Sequence, residues 1–118
     1  MARILVLDNE AVIALDLSMI LEDEGFSVCG PYSDSDAALA AIEESVPDGA
    51  LLDVNLGQAR TSAIVAASLE YLSVPFAFLT GYDHLDEKLG QRFGDRPRVV
   101  KPFDPTRVLA VVNEMLRK

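Results

Sequence analysis

The chain alternates between short apolar runs and longer stretches in which apolar residues return at helical spacing. RILVL, Arg3–Leu7, is continuous and aliphatic, as expected for a parallel strand covered on both faces. Asp8-Asn9-Glu10 ends it. Over residues 11–24 the apolar positions Val12, Leu15, Met19 and Leu21 fall near helical spacing, with Gly25 as a stop. Residues 26–29 predict a second strand, broken by Gly30-Pro31. The oxygens of Ser33, Asp34, Ser35 and Asp36 offer a cap ahead of AALAAIEES, a segment of high helix propensity. After a Pro47-Asp48-Gly49 turn, residues 50–53 predict a third strand, which stops on the carboxylate of Asp53.

A helix over residues 61–72 follows, with Ile64, Val65, Ala67 and Leu69 as its apolar positions. Val74-Pro75 introduces a fourth strand, FAFLT, and residues 83–93 predict a short helix. A fifth strand spans residues 97–100 and ends at Lys101-Pro102. Asp104 then caps a last helix with Pro105 at its first position, and Val108, Leu109, Val111, Val112 and Leu116 form the apolar face. Strand and helix alternate five times. That order predicts a parallel sheet with helices on both faces. In such sheets ligands bind beyond the carboxyl ends of the strands. Asp8, Asp53, Thr80 and Lys101 all stand at those ends.

Length and charge narrow the classes. The 118 residues make one domain, half of them apolar, which suffices for a core without disulfides. The one cysteine, Cys29, is expected in the core. No stretch approaches the length of a membrane span, and the N-terminus runs straight into a strand without a signal peptide. A cytoplasmic domain is expected. The net charge of −9 disfavours direct nucleic-acid contact, which relies on a basic footprint.

Two acids and an amide at one rim suit Mg²⁺, a hard cation that takes oxygen ligands. A lysine beside that cation makes sense when an anion bridges the two, as a phosphoryl group does. The Thr80 hydroxyl would donate to one phosphoryl oxygen, and the amides of Val54, Asn55 and Gly81 would complete the cradle. Asp53, projecting from the central part of the sheet, is the natural carboxylate to bond phosphorus. Taken singly, each acid reads as a strand-end turn residue. A nucleotide-binding enzyme would want a glycine-rich loop after the first strand, where the sequence is DNEAV. An aspartyl-phosphate hydrolase would want an acid where Asn55 stands.

Together, RILVLDNE, LLDVNLG, VPFAFLTG and VVKPFDP resemble the receiver domain of the two-component response regulators, over essentially the whole chain, residues 1–118. The resemblance implies a flavodoxin-like, doubly wound α/β fold with a five-stranded parallel sheet in the order 2-1-3-4-5. It implies that Asp53 accepts a phosphoryl group from a phosphohistidine on a sensor histidine kinase or a histidine phosphotransfer protein, with Mg²⁺ as cofactor. Metal ligands would be Asp8, Asn9, Asp53 and the Asn55 carbonyl. Thr80 and Lys101 would contact the phosphoryl group, and the bond before Pro102 would be cis. The output would be altered binding of a downstream protein, with no turnover reaction of its own, no output domain following Lys118 and no membrane insertion. A phosphorylation-dependent homodimer is compatible with it.

Two positions depart from the family pattern. Asn9 replaces a second acid that is a direct metal ligand, which predicts weaker metal binding, with Glu10 as a nearby substitute. Arg98 stands where many receivers carry a rotating aromatic switch. The switch set is then Thr80, Arg98 and Tyr82, a residue just beyond Thr80-Gly81. FLTGY partly resembles a receiver subgroup with a Phe-Ala-Thr-Gly motif, often stand-alone domains of stress phosphorelays. The departures motivate an alternative: a pseudo-receiver that binds protein partners without phosphorylation.

Overall fold

A computed structural model describes residues 2–56, 61–81 and 92–117. Five strands, β1 (Arg3–Leu7), β2 (Ser27–Tyr32), β3 (Gly49–Asp53), β4 (Phe76–Thr80) and β5 (Arg98–Val100), alternate with helices α1 (Ala11–Asp23), α2 (Ser35–Glu44) and α3 (Ala63–Tyr71); α4 (Pro105–Leu116) follows β5. All four strand pairings are parallel and the order is β2-β1-β3-β4-β5. This is the doubly wound α/β sheet that the sequence predicts. The helix expected over residues 83–93 lies outside the described residues apart from Arg92 and Phe93.

Continuous apolar strands are needed because both faces are covered. Leu5, Leu7, Ala50, Leu52, Phe76 and Phe78 pack toward α2 and α3. Ile4, Val6, Leu51, Ala77 and Leu79 pack toward α1 and α4. Every residue of β3 and of β4 is buried. An alternating apolar–polar strand could not satisfy two covered faces.

The helix faces required correction. In α1 the buried positions are Ala14, Leu17, Ser18 and Leu21. Of the expected apolar stripe only Leu21 is inside: Val12, Leu15 and Met19 are 81%, 59% and 55% exposed. The helix is apolar almost all round, so periodicity alone could not choose its face. Ser18 disguised the true stripe, yet its hydroxyl donates to the Ala14 carbonyl at 2.9 Å and is buried at little cost. In α3, Val65, Ala66 and Leu69 face inward while Ile64 is exposed. In α4, Val108, Val111 and Val112 are buried, as expected.

Gly30-Pro31 does not break β2; the strand runs on to Tyr32. Its register with β1 shifts between Leu5 and Leu7, and Gly30 takes φ +111°, where a Cβ would lie 2.8 Å from the Tyr32 nitrogen. An edge strand accommodates both a bulge and a proline. The bonds preceding Pro31 and Pro102 are cis. Cys29 is buried, as expected.

The caps are as the sequence suggests for two helices. Asp34 accepts a hydrogen bond from the Ala37 amide and Asp104 from the Thr106 amide, both at 2.9 Å. Asp104→Ala is expected to lower stability by about 1 kcal/mol. Urea unfolding checks this; an unchanged midpoint would show that Pro105 alone sets the start of α4.

Candidate functional site

The topology gathers the strand-end residues at one rim. β1 and β3 are neighbours with Leu7 opposite Leu52, so Asp8 and Asp53 leave the sheet side by side. Thr80 lies opposite Val100, and Lys101 is the next residue. Val6 and Leu51 face α1 and α4, and strand alternation carries Asp8 and Asp53 toward that same side. Asp8, Asp53 and Thr80 are only 1%, 4% and 5% exposed. Such burial is inconsistent with three solvated turn residues.

Lys101 ties the acids together. Its Nζ lies 3.3 Å from Asp8 Oδ2 and 3.3 Å from Asp53 Oδ2, and it donates to Glu10 Oε1 at 3.0 Å. Its backbone amide donates to the Thr80 carbonyl at 2.7 Å, which fixes the residue to the sheet. Asp8 Oδ1 accepts from the Glu10 amide at 2.9 Å. Asp8 Oδ2 is enclosed and accepts no hydrogen bond. Asp53 Oδ1 accepts from the Asn55 amide at 3.3 Å, a local turn closed by the carboxylate itself.

The side-chain amide of Asn9 lies 3.0 Å from Asp53 Oδ2 and 3.2 Å from the Asn55 carbonyl. With its nitrogen inward the amide donates to both; with its oxygen inward it meets two acceptors, an arrangement that a cation among the three oxygens would satisfy.

The electrostatics follow from this crowding. Burial, then the adjacent Asp8 charge, push the Asp53 carboxyl from 3.8 up to about 7, although Lys101 pulls the other way. Burial works against the Lys101 ammonium. The Glu10 hydrogen bond and the charges of Asp53 and Asp8 outweigh it, so the lysine stays protonated above its ordinary range.

Asp8, Glu10 and Asp53 each offer an oxygen, all within 4.8 Å of one another. Three carboxylates face one ammonium, which lies 3.3 Å from the enclosed Asp8 Oδ2. Opposite ligands of an octahedral Mg²⁺ stand about 4 Å apart. The set is all oxygen, acidic in excess and close to that span, so a hard divalent cation fits it.

Asp8, Asp53 and Lys101 therefore converge as expected, with Thr80 on the same rim and Asn55 adjoining. The Val54 amide is committed to the Leu79 carbonyl at 3.0 Å and cannot serve the expected cradle. Arg98 begins β5, away from the rim end of that strand, and its carbonyl accepts from Arg107 Nη2 at 3.3 Å. Tyr82 lies outside the described residues. Glu10 is the residue the sequence undervalued. It occupies the N-cap position of α1, yet its side chain makes no cap bond. Glutamate is absent from the favoured N-cap set, and that mismatch is the signal that its carboxylate is used elsewhere. A broad hollow of about 900 Å³ opens at the opposite end of the strands, bordered by Ala2, Asp48, Pro75, Arg96 and Leu116. None of the strand-end residues lines it.

Known proteins are similar to this chain in sequence and in fold. The regulatory protein VanRc of Enterococcus gallinarum is 35% identical over 98% of this chain. The DNA-binding response regulator MtrA of Mycobacterium tuberculosis is 34% identical over 98% of it. The crystal structure of the receiver domain of NtrX from Brucella abortus is similar at a TM-score of 0.83, with 27% identity over 96% of this chain and 97% of that one. The chain is a response-regulator receiver domain. No protein-family model matches the sequence. The receiver spans about half the length of the relatives named, 50% of VanRc and 51% of MtrA. Response regulators work in two-component signalling with kinases and downstream targets. Among the described residues no helix is long and apolar enough to cross a membrane.

Proposed function

We propose that this receiver accepts a phosphoryl group on Asp53 from a phosphohistidine, carried by a sensor histidine kinase or a histidine phosphotransfer protein, with Mg²⁺ as cofactor. The observation that carries the reading is the convergence of one buried carboxylate, Asp53, with Asp8 and the Lys101 ammonium at 3.3 Å. A carboxylate oxygen of Asp53 attacks phosphorus, and the bond from phosphorus to the histidine nitrogen breaks. The imidazole leaves with the electron pair. Lys101 stabilises the charge on a phosphoryl oxygen, and Thr80 donates its hydroxyl to another. Bound Mg²⁺ would neutralise phosphoryl charge beside Asp8 and the Asn55 carbonyl.

The domain acts as a switch in the cytoplasm, without turnover of a substrate of its own. Phosphorylation shifts a two-state equilibrium and changes binding of a downstream protein at the face formed by β5 and α4. A phosphorylated homodimer is one form such binding takes. The net charge of −9 disfavours DNA contact by this segment. Incubation with Mg²⁺ and a small phosphodonor, followed by intact-mass spectrometry, is expected to add one phosphoryl group to the wild type and none to Asp53→Asn. A wild type that stays unlabelled under conditions that label another receiver defeats the reading.

A second reading has its own support. Asn9, an uncharged amide, stands beside Asp53 where the family carries an acid, and Arg98 stands at the position of a switch aromatic. Both features favour a pseudo-receiver that binds its partner without phosphorylation. That reading requires partner affinity to be the same for wild type and Asp53→Asn.

A further inference from the structure

Between the C-terminal ends of α2 and α3 lies a hollow of about 370 Å³. Leu39, Ile42 and Val46 border it from α2 and the turn that follows, and Tyr71 and Leu72 from the end of α3. Ile42 belongs to the core, whereas Val46, Tyr71 and Leu72 are exposed, Tyr71 by 88%. Fraying does not account for this. The Val74 amide donates to the Leu69 carbonyl at 2.9 Å and the Ser73 amide to the Glu70 carbonyl at 3.1 Å, a paired closure that fixes a helix end. Leu69 and Val74 are both buried. One aromatic and two aliphatic side chains are thus held in water by a rigid frame around a hollow, which is more than scattered apolar exposure. The rim is acidic. Residues 33–49 and 61–75 contain Asp34, Asp36, Glu43, Glu44, Asp48 and Glu70 and no lysine or arginine. Asp34 and Asp48 accept from the amides of Ala37 and Arg3, and Glu70 pairs with Arg92 and Arg96. Glu43 lines the hollow, and Asp36 stands two turns earlier on the same side of α2. Both are exposed, and among the described residues neither meets a cation.

We propose that this hollow docks an amphipathic helix of a partner protein, with large aliphatic side chains on one face and lysine or arginine beside them. Charge selects that occupant. A nucleic acid or an anionic lipid surface would meet Asp36 and Glu43 with like charge. A second copy of this chain is disfavoured on the same ground, because its exposed apolar stripe of Val12, Leu15 and Met19 runs beside Asp16, Glu22 and Asp23. A basic amphipathic helix suits both features: an aliphatic side chain enters the hollow against Ile42 and Tyr71, and its cations meet Asp36 and Glu43. Tyr71 supplies most of the affinity, since an aromatic side chain on a rigid helix end loses little freedom on binding. The acids set the choice of partner more than the strength. α2 and α3 run back against the direction of the strands, so their C-terminal ends lie away from the rim of Asp8, Asp53 and Lys101. Docking here requires no phosphoryl group.

The test is an NMR titration of the receiver with a synthetic helical peptide of leucines and lysines in amphipathic order. A peptide with glutamate in place of every lysine is the control. The leucine–lysine peptide is expected to shift the backbone amide signals of residues 39–46 and 68–72, and the control to leave them in place. Tyr71→Ala is expected to weaken binding about tenfold or more, and Glu43→Lys about fivefold. Both side chains are exposed, so both variants keep the fold, and an unchanged spectrum elsewhere verifies that. Shifts centred on residues 12–19 or scattered over the surface overturn the inference. So do equal affinity for the two peptides, a wild type that binds neither, or a Tyr71→Ala variant that binds as tightly as wild type.

Discussion

Lys101→Met is expected to lower the stability of the metal-free receiver by about 3 kcal/mol and to slow phosphoryl uptake on Asp53 about a hundredfold. Methionine keeps most of the stem volume, so packing changes little and the loss reports the ammonium. Lys101 faces three carboxylates, at 3.3 Å from Asp8, 3.3 Å from Asp53 and 3.0 Å from Glu10. Its side chain is only 14% exposed, and that of Asp8 is fully enclosed. Removing one partner of a buried pair leaves the other uncompensated, which costs more than the pair contributes. The loss is expected to shrink as pH falls, because protonating Asp53 relieves the repulsion. Added Mg²⁺ is expected to restore part of it, since a cation can replace the ammonium. Urea unfolding with and without EDTA reads both effects. A variant with the wild-type midpoint in EDTA would mean that the ammonium contributes nothing net. A double-mutant cycle with Asp53→Asn is expected to show strong non-additivity, because both substitutions act on one pair.

The strands were legible because two covered faces impose one requirement on every residue. RILVL and FAFLT admit no polar interruption, and a run that short between turn signals suits a buried strand far better than a helix. The rim was legible for a related reason. A parallel sheet places all strand ends on one side, so Asp8, Asp53, Thr80 and Lys101 meet without any long-range information. Helix orientation was not legible where a helix is apolar all round. Val12, Leu15 and Met19 compete with Ala14, Leu17 and Leu21, and only the neighbouring α4 and β-sheet decide between them. The distances around Asn9 were beyond reach as well. Its side-chain amide lies 3.0 Å from Asp53 Oδ2 and 3.2 Å from the Asn55 carbonyl, a proximity that the fold sets and the sequence does not display. Glu10 lay between these cases. Its poor capping chemistry was visible in the sequence, but the lysine that claims its carboxylate comes 91 residues later.

Asp53→Asn is expected to stabilise the metal-free fold at pH 8 by about 2 kcal/mol and to leave it nearly unchanged at pH 4. In the folded receiver the Asp53 carboxyl ionises near 7, against 3.8 for the free group. Below pH 3.8 both states carry the proton and the group has no effect. Between 3.8 and about 7 the unfolded chain releases its proton while the folded one keeps it, so folding stability falls as pH rises. Above about 7 both are ionised and the penalty is constant. A displacement from 3.8 to about 7 corresponds to at most about 4 kcal/mol. Water reaching the rim around the exposed Glu10 screens part of this, and about half is expected to remain. Asparagine is uncharged throughout and keeps an oxygen for the Asn55 amide. Urea unfolding of wild type and variant in EDTA, from pH 4 to 8, gives the difference directly. A gap that is flat across this range would show that Asp53 ionises as an ordinary surface carboxylate. The expected slope ties function to stability. The same burial that raises the free energy of the Asp53 carboxylate is relieved when a cation or an ammonium neutralises it. A receiver at pH 7.5 thus holds its acceptor in a charged form that the fold disfavours, and counter-charge at this rim stabilises the molecule as a whole.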